Sequence, residues 1–180
     1  MKINFPTCLS LVLKDEGGFV NDPQDPGGAT DDGVVQHLYN AYRQQIGLAE
    51  QSVKLVSQDE LRAIYRQQFW GPLNCDALPP GVDYVTFDYG VNSGPFRAAE
   101  TLQWALGVSV DGHIGLVTIA AANATTDRKA LIDRMDQHRI VFLESLPTWS
   151  HFGGGWDARV SRVSANGVAM LSNANAGVAA

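Results

Sequence analysis

Six carboxylates fall within 18 consecutive positions: Asp15, Glu16, Asp22, Asp25, Asp31 and Asp32. Such a cluster suits a solvated loop, a calcium site, or carboxyls that exchange protons with a substrate. EF-hand calcium loops space their oxygen ligands regularly around a glycine. Here that spacing is absent, and Pro23 and Pro26 interrupt the ligands. A helical wheel then separates two neighbours. At about 100° per residue, Phe5, Leu9, Val12 and Leu13 form one apolar stripe. Glu16 lies four residues past Val12 and three past Leu13, so it falls on that stripe. Asp15 falls roughly a quarter-turn away, as a solvated side chain, and Lys14 nearly opposite. A carboxyl on the apolar face, at a helix C-terminus, meets both desolvation and the negative end of the helix dipole. Both favour the protonated form that a general acid needs. A buried structural glutamate, satisfied by backbone or arginine, is the competing reading.

Other chemistries find little support. His37, His113, His138 and His151 are scattered, with no His-Glu-x-x-His arrangement. Cys8 and Cys75 form no Cys-x-x-Cys pair and are expected as free thiols, with one bridge possible. Gly153-Gly154-Gly155 lacks the preceding strand and the Lys-Ser/Thr of a phosphate loop. The expected reaction uses no metal and no cofactor.

The elements that must position Glu16 are mostly helical. Asn4 caps a first helix that Gly17-Gly18 ends. Turn residues crowd Phe19 to Gly33, giving a loop or small hairpin over residues 19–34. A helix follows from Val35 to Ile46, and Ser57 with Glu60 reads as a capping box opening a helix through Phe69. Val82 to Asn92 is apolar on nearly every side, as a buried central helix is. Further helices are expected from Pro95 to Leu106, Leu116 to Asn123, Asp127 to about Leu146, and Trp156 to about Leu171. Ser93-Gly94-Pro95 marks a seam between two closely packed halves, 1–93 and 94–180, with Trp104 in the core beside it.

Of the 180 residues, 45% are hydrophobic and 18% charged, which excludes a disordered chain. The net charge of −6 argues against a diffuse nucleic-acid surface. No run approaches the ~18–20 apolar residues of a membrane span. The N-terminal segment reads as a helix of the fold and not as a signal peptide. The chain is therefore expected to be made in the cytoplasm.

The run Glu16-Gly17-Gly18-Phe19-Val20-Asn21-Asp22-Pro23, continuing Asp25-Pro26-Gly27-Gly28-Ala29-Thr30 and Gly33, resembles the signature of glycoside hydrolase family 108, the N-acetylmuramidases of phage endolysins and secretion-associated enzymes. That family has Asn after the Thr and Gly-Ile-Thr shortly after; here Asp31 and Gly33-Val34-Val35 stand instead. Phe69-Trp70-x-Pro72 and Phe87-Asp88-Tyr89-x-Val91-Asn92-Ser93-Gly94 resemble the rest of the catalytic half. Leu102-Gln103-x-Ala105-Leu106-Gly107-Val108 and Asp111-Gly112-x-Ile114-Gly115 resemble the associated peptidoglycan-binding region, as do Gly155-Trp156 and Arg159-Val160 its ending.

The resemblance implies a mainly α, lysozyme-like fold that cleaves the β-1,4 bond between N-acetylmuramic acid and N-acetylglucosamine. It makes Glu16 the catalytic acid, the residue the wheel also selects. In other lysozyme groups an Asp and a Thr stand at similar distances after the acid; here these are Asp25 and Thr30, which together can hold an attacking water. Asp22 is a further candidate at the substrate. Tyr89 and Asn92 share a helix face and resemble part of a lytic transglycosylase motif, a pair that can bind an N-acetyl group. Trp70 can stack on a sugar or seal a helix end. The implied partner is bacterial peptidoglycan, met by a monomer in the periplasm with a holin or secretion system giving access. A non-catalytic wall-binding protein and a lytic transglycosylase are the alternatives.

Overall fold

The computed structural model of the chain describes residues 4–16, 30, 31 and 33–176, with side chains for all of these except Thr30 and residues 173–176. Contacts divide it into two compact units, Pro6–Gln68 and Met1–Phe5 with Phe69–Ala180.

The first helix is α1 (Phe5–Glu16); the Gly17-Gly18 pair expected to end it lies outside the described residues. A two-residue strand β1 (Thr30–Asp31) pairs antiparallel with β2 (Val34–Val35), in register Thr30 with Val35 and Asp31 with Val34. Helix α2 (Gln36–Gln45) follows directly, with Val35 as its extended N-cap. Helix α3 (Gln58–Tyr65) opens on the expected capping box: Ser57 Oγ accepts from Glu60 N–H at 3.2 Å, and the Glu60 carboxylate accepts from Ser57 N–H at 3.0 Å. Glu60 also binds Arg43 Nη1 at 2.5 Å and the Tyr39 hydroxyl at 2.8 Å, which ties α2 to the start of α3. Burial opposes ionisation of Glu60, but hydrogen bonds from Ser57, Tyr39 and Arg43 outweigh it and hold the carboxyl below its ordinary value. The chain leaves α3 through one π-helical turn, Arg66–Trp70.

The second unit is built around α4 (Val82–Ser93), whose residues from Val82 to Gly90 are all buried. Helices α5 (Pro95–Leu106), α7 (Arg128–Glu144) and α8 (Trp149–Ala176) pack against it, and α6 (Leu116–Ala124) packs on α5. This is the expected buried central helix, covered along Val82 to Gly90 although it carries Asp83, Thr86 and Asp88. Phe5, Trp70 and Phe87 make an aromatic core cluster with ring centroids 5.2–6.0 Å apart. Trp104, expected in the core, is instead half exposed, its ring against His138. Helix α8 begins at Trp149 rather than Trp156 and runs through all three glycines of Gly153-Gly154-Gly155. The Trp149 ring lies on the bare backbone of Gly153, where a Cβ would stand 2.6 Å from the indole.

Candidate active site

Helix α1 carries Glu16 as its last described residue. Phe5, Cys8, Leu9 and Val12 are buried, while Leu13 is only half-buried; Cys8, not Leu13, completes the stripe. Glu16 is half-buried at its end, and so is Asp15, which is therefore not the solvated side chain expected.

Gly33, in the turn between β1 and β2, defines what surrounds Glu16. Its φ is +75°, a left-handed conformation that favours glycine. A Cβ at this position would stand 2.5 Å from the Tyr65 hydroxyl, 2.9 Å from Glu16 Oε2 and 3.2 Å from Glu16 Cγ. The carboxyl and the phenol thus crowd one backbone point from two sides. Three segment ends meet there: the C-terminus of α1, the β1–β2 turn and the C-terminus of α3. Tyr65 itself is buried, on the same face of α3 as Leu61 and Ile64. Sequence reasoning missed Tyr65, whose only signal was its place on that apolar face. Gly33 appeared there as part of a motif without its steric role.

Thr30 opens β1, and only its backbone is described. Asp25 and Asp22 lie outside the described residues. Among the described residues, no group of three or more His, Cys, Asp or Glu side chains is placed to hold a metal ion. Cys8 and Cys75 are buried and unbridged.

The other expected substrate contacts turn inward. Trp70 is 1% exposed; its ring packs between Phe5 and Phe87, and its indole N–H donates to Asp76 at 2.8 Å. Of its two readings, the structure supports sealing over stacking on a sugar. Tyr89 and Asn92 do share a face, but it looks toward Arg139. The Arg139 guanidinium lies 4.7 Å from the Tyr89 ring centroid and donates to Asn92 Oδ1 at 3.1 Å. Tyr89 is buried, so its ring is a packing element and not an acetamido contact. Asn92 is half-buried, its carbonyl oxygen committed to Arg139 and the Ser93 hydroxyl.

At the centre of this face, Asp88 is fully buried and accepts from Arg139 Nη1 at 2.7 Å and from Arg159 Nε and Nη2 at 3.0 and 2.9 Å. The cluster joins α4, α7 and α8. It was legible only as two hints, an Asp inside an apolar helix and an Arg on the buried stripe of α7. Beside it, burial pushes the Asp136 carboxyl up to about 6, against the pull of Arg139.

Residues 9–94 match the family model described as "Glycosyl hydrolase 108", and residues 97–161 the one described as "Predicted Peptidoglycan domain". A solved structure entitled "Structure of Brucella abortus SagA" matches with 37% identity and a TM-score of 0.80, over 93% of this chain and 95% of that one. The chain belongs to glycosyl hydrolase family 108. Comparison with curated proteins gives no match. As a family 108 protein with a peptidoglycan region, it is a glycoside hydrolase that acts on peptidoglycan. The mainly α, lysozyme-like architecture is the expected one. Within the family 108 match, α1, the β1–β2 turn and α3 supply Glu16, Gly33 and Tyr65, and α4 closes the matched span.

Proposed function

We propose that this enzyme is an N-acetylmuramidase that hydrolyses the β-1,4 bond between N-acetylmuramic acid and N-acetylglucosamine, with Glu16 as the general acid. The observation that carries this reading is the Glu16 carboxyl at the end of α1, set against the Gly33 backbone beside the Tyr65 hydroxyl. A general acid must be held where it meets the leaving oxygen. A glycine that admits no side chain and a buried phenol supply that restraint. Asp25 is the proposed base, with Thr30 orienting the attacking water and Asp22 at the substrate. The reaction then inverts the anomeric centre, which calls for carboxyls roughly 6.5–9.5 Å apart. Asn92 keeps an amide nitrogen able to meet a sugar substituent at the end of α4.

Residues 1–93 are proposed to carry the chemistry and residues 94–180 to hold the wall. The enzyme acts as a monomer, made in the cytoplasm and reaching the wall in the periplasm through a holin or a secretion system, as a phage endolysin or a secretion-associated muramidase does. Among the described residues, no helix is long and apolar enough to cross a membrane.

The test is digestion of purified walls followed by mass analysis of the fragments. New reducing ends on N-acetylmuramic acid are expected, and Glu16→Gln should abolish them while the protein stays folded. Anhydro-muramic ends would assign a lytic transglycosylase instead. Full activity of Glu16→Gln would remove Glu16 from the mechanism.

A further inference from the structure

Helix α8 opens on Trp149 and carries Phe152 and Trp156 three and seven residues further on, along one side of the helix. Ring centroids of Trp149 and Trp156 lie 6.1 Å apart, and those of Phe152 and Trp156 5.7 Å, with interplanar angles of 38° and 36°. His151 stands edge-on to Phe152 at 4.4 Å. This slab is not a core: Phe152 is 50% exposed and both tryptophans are half-buried.

The glycines between the rings sharpen the point. A glycine inside a helix destabilises it relative to alanine. Gly153 offsets that by seating the Trp149 ring, but Gly154 and Gly155 have nothing within 4 Å of where a Cβ would be. They leave bare backbone at the surface beside the rings. From Ser145 to Trp156 the chain has no Asp, Glu, Lys or Arg. An exposed apolar patch of this kind marks a binding surface. Anionic lipid is a poor occupant, because it is held by clustered Lys and Arg and this chain carries a net charge of −6. A neutral polymer with apolar faces fits the uncharged rings, and the segment lies inside the peptidoglycan-region match at 97–161.

We propose that Trp149, Phe152 and Trp156 form a stacking platform for sugar rings of the wall glycan. Aromatic faces carry negative charge density that meets the C–H faces of a pyranose, while indole N–H, imidazole and the Ser150 hydroxyl are groups able to bond sugar hydroxyls and acetamido oxygens. The inference rests on the enzyme being a peptidoglycan hydrolase, but it concerns retention on the wall and not bond cleavage.

The test uses the full chain in a Glu16→Gln background, so that walls persist, with Phe152→Ala and Trp156→Ala added separately. Folding is checked by circular dichroism and melting. Co-sedimentation with purified walls should weaken roughly tenfold for each, about 1.4 kcal/mol. Indole fluorescence of the parent should shift on titration with chitotetraose, and Phe152→Ala, an exposed side chain, should weaken that response even if Trp156→Ala fails to fold. Wall binding within twofold of the parent in the folded variants would overturn the platform. So would a parent blind to chitotetraose but responsive to phosphatidylglycerol vesicles, or a parent dimer that Phe152→Ala dissolves. Wall clearing by the Glu16→Gln parent, read in parallel, reports on the acid alone, and the chitotetraose titration stands whichever way it falls.

Discussion

Gly33→Ala tests whether the setting of Glu16 matters. The new methyl would sit 2.5 Å from the Tyr65 hydroxyl and 2.9 Å from Glu16 Oε2, against a normal carbon contact of ~3.5 Å or more. Both must retreat to reach that contact distance, the Tyr65 hydroxyl by about 1 Å and Glu16 Oε2 by about 0.6 Å. Tyr65 is buried with its ring packed, so it pushes the methyl toward the half-buried Glu16 carboxyl, whose own displacement then grows toward about 1 Å. A displacement near 1 Å in a catalytic group costs on the order of 10²-fold in rate. The left-handed φ adds roughly 1–2 kcal/mol of backbone strain for any other residue. We therefore expect kcat for wall lysis to fall about 10–100-fold, and the melting temperature by a few degrees, about 2–4 °C per kcal/mol in a chain of this size. Tyr65→Phe removes the oxygen that the methyl meets first. In the double variant the penalties should not add; a coupling of at least ~0.5 kcal/mol is the expected sign of direct contact. The assay is turbidity loss of purified walls beside a thermal melt for the four proteins. A folded Gly33→Ala enzyme with parental kcat would refute the claim that this backbone point holds the acid in place.

Further outcomes are expected elsewhere. Asp25→Asn should slow wall lysis by about 10²–10⁴, the usual scale of general base catalysis, and near-parental turbidity loss would remove Asp25 from the mechanism. Asp15→Asn should leave lysis within a few-fold of the parent although the side chain is half-buried; a dead Asp15→Asn enzyme would mean the acid has been misassigned. Because the Asp136 carboxyl is raised to about 6, above the ~3.9 of an unfolded chain, its favourable contribution is present below pH ~4 and is lost as pH rises through about 6. Asp136→Asn should thus melt higher than the parent at pH 8, with the gain shrinking toward pH 4; a pH-independent difference in melts would contradict this. Arg139→Met leaves Asp88 with Arg159 alone and should cost about 3 kcal/mol or more, seen as a melting temperature lowered by about 6–12 °C.

Local signals in the sequence were read well where local physics decides. The 3.6-residue spacing of α1 places Phe5, Leu9 and Val12 on its buried face, though burial does not separate Glu16 from Asp15, and the Ser57–Glu60 box appears with both of its hydrogen bonds. The central helix was legible because apolar residues from Val82 to Asn92 fall on nearly every side. What escaped depends on residues far apart in the chain. Tyr65 meets Gly33 and Glu16 only after α3 has folded against the hairpin. Trp70 and Tyr89 each admit a sugar contact or a core role in the sequence, because an aromatic ring serves both equally well, and only packing tells them apart. Helix α8 starts seven residues before the expected Trp156, and the indole of Trp149 resting on Gly153 is a contact that the sequence does not display.

The ionic cluster at Asp88 bears on how far this enzyme can be treated as exchangeable parts. The family 108 match ends at residue 94 and the peptidoglycan match starts at 97, which invites cutting between them to build chimaeras. Yet Asp88 lies before that cut, and both guanidiniums that neutralise it come from after it, on α7 and α8. A fragment ending near residue 95 would strand an unpaired carboxylate and strip the neighbours from a helix that has no outward side. Grafting α5 to α8 onto a different hydrolase would import two arginines in need of an acid. The unit for recombination is the compact one that holds α4 and everything after it, so a swap that respects this protein's wiring divides near residue 69 and keeps Phe5 with Trp70 and Phe87, rather than cutting at the boundary the two family models suggest.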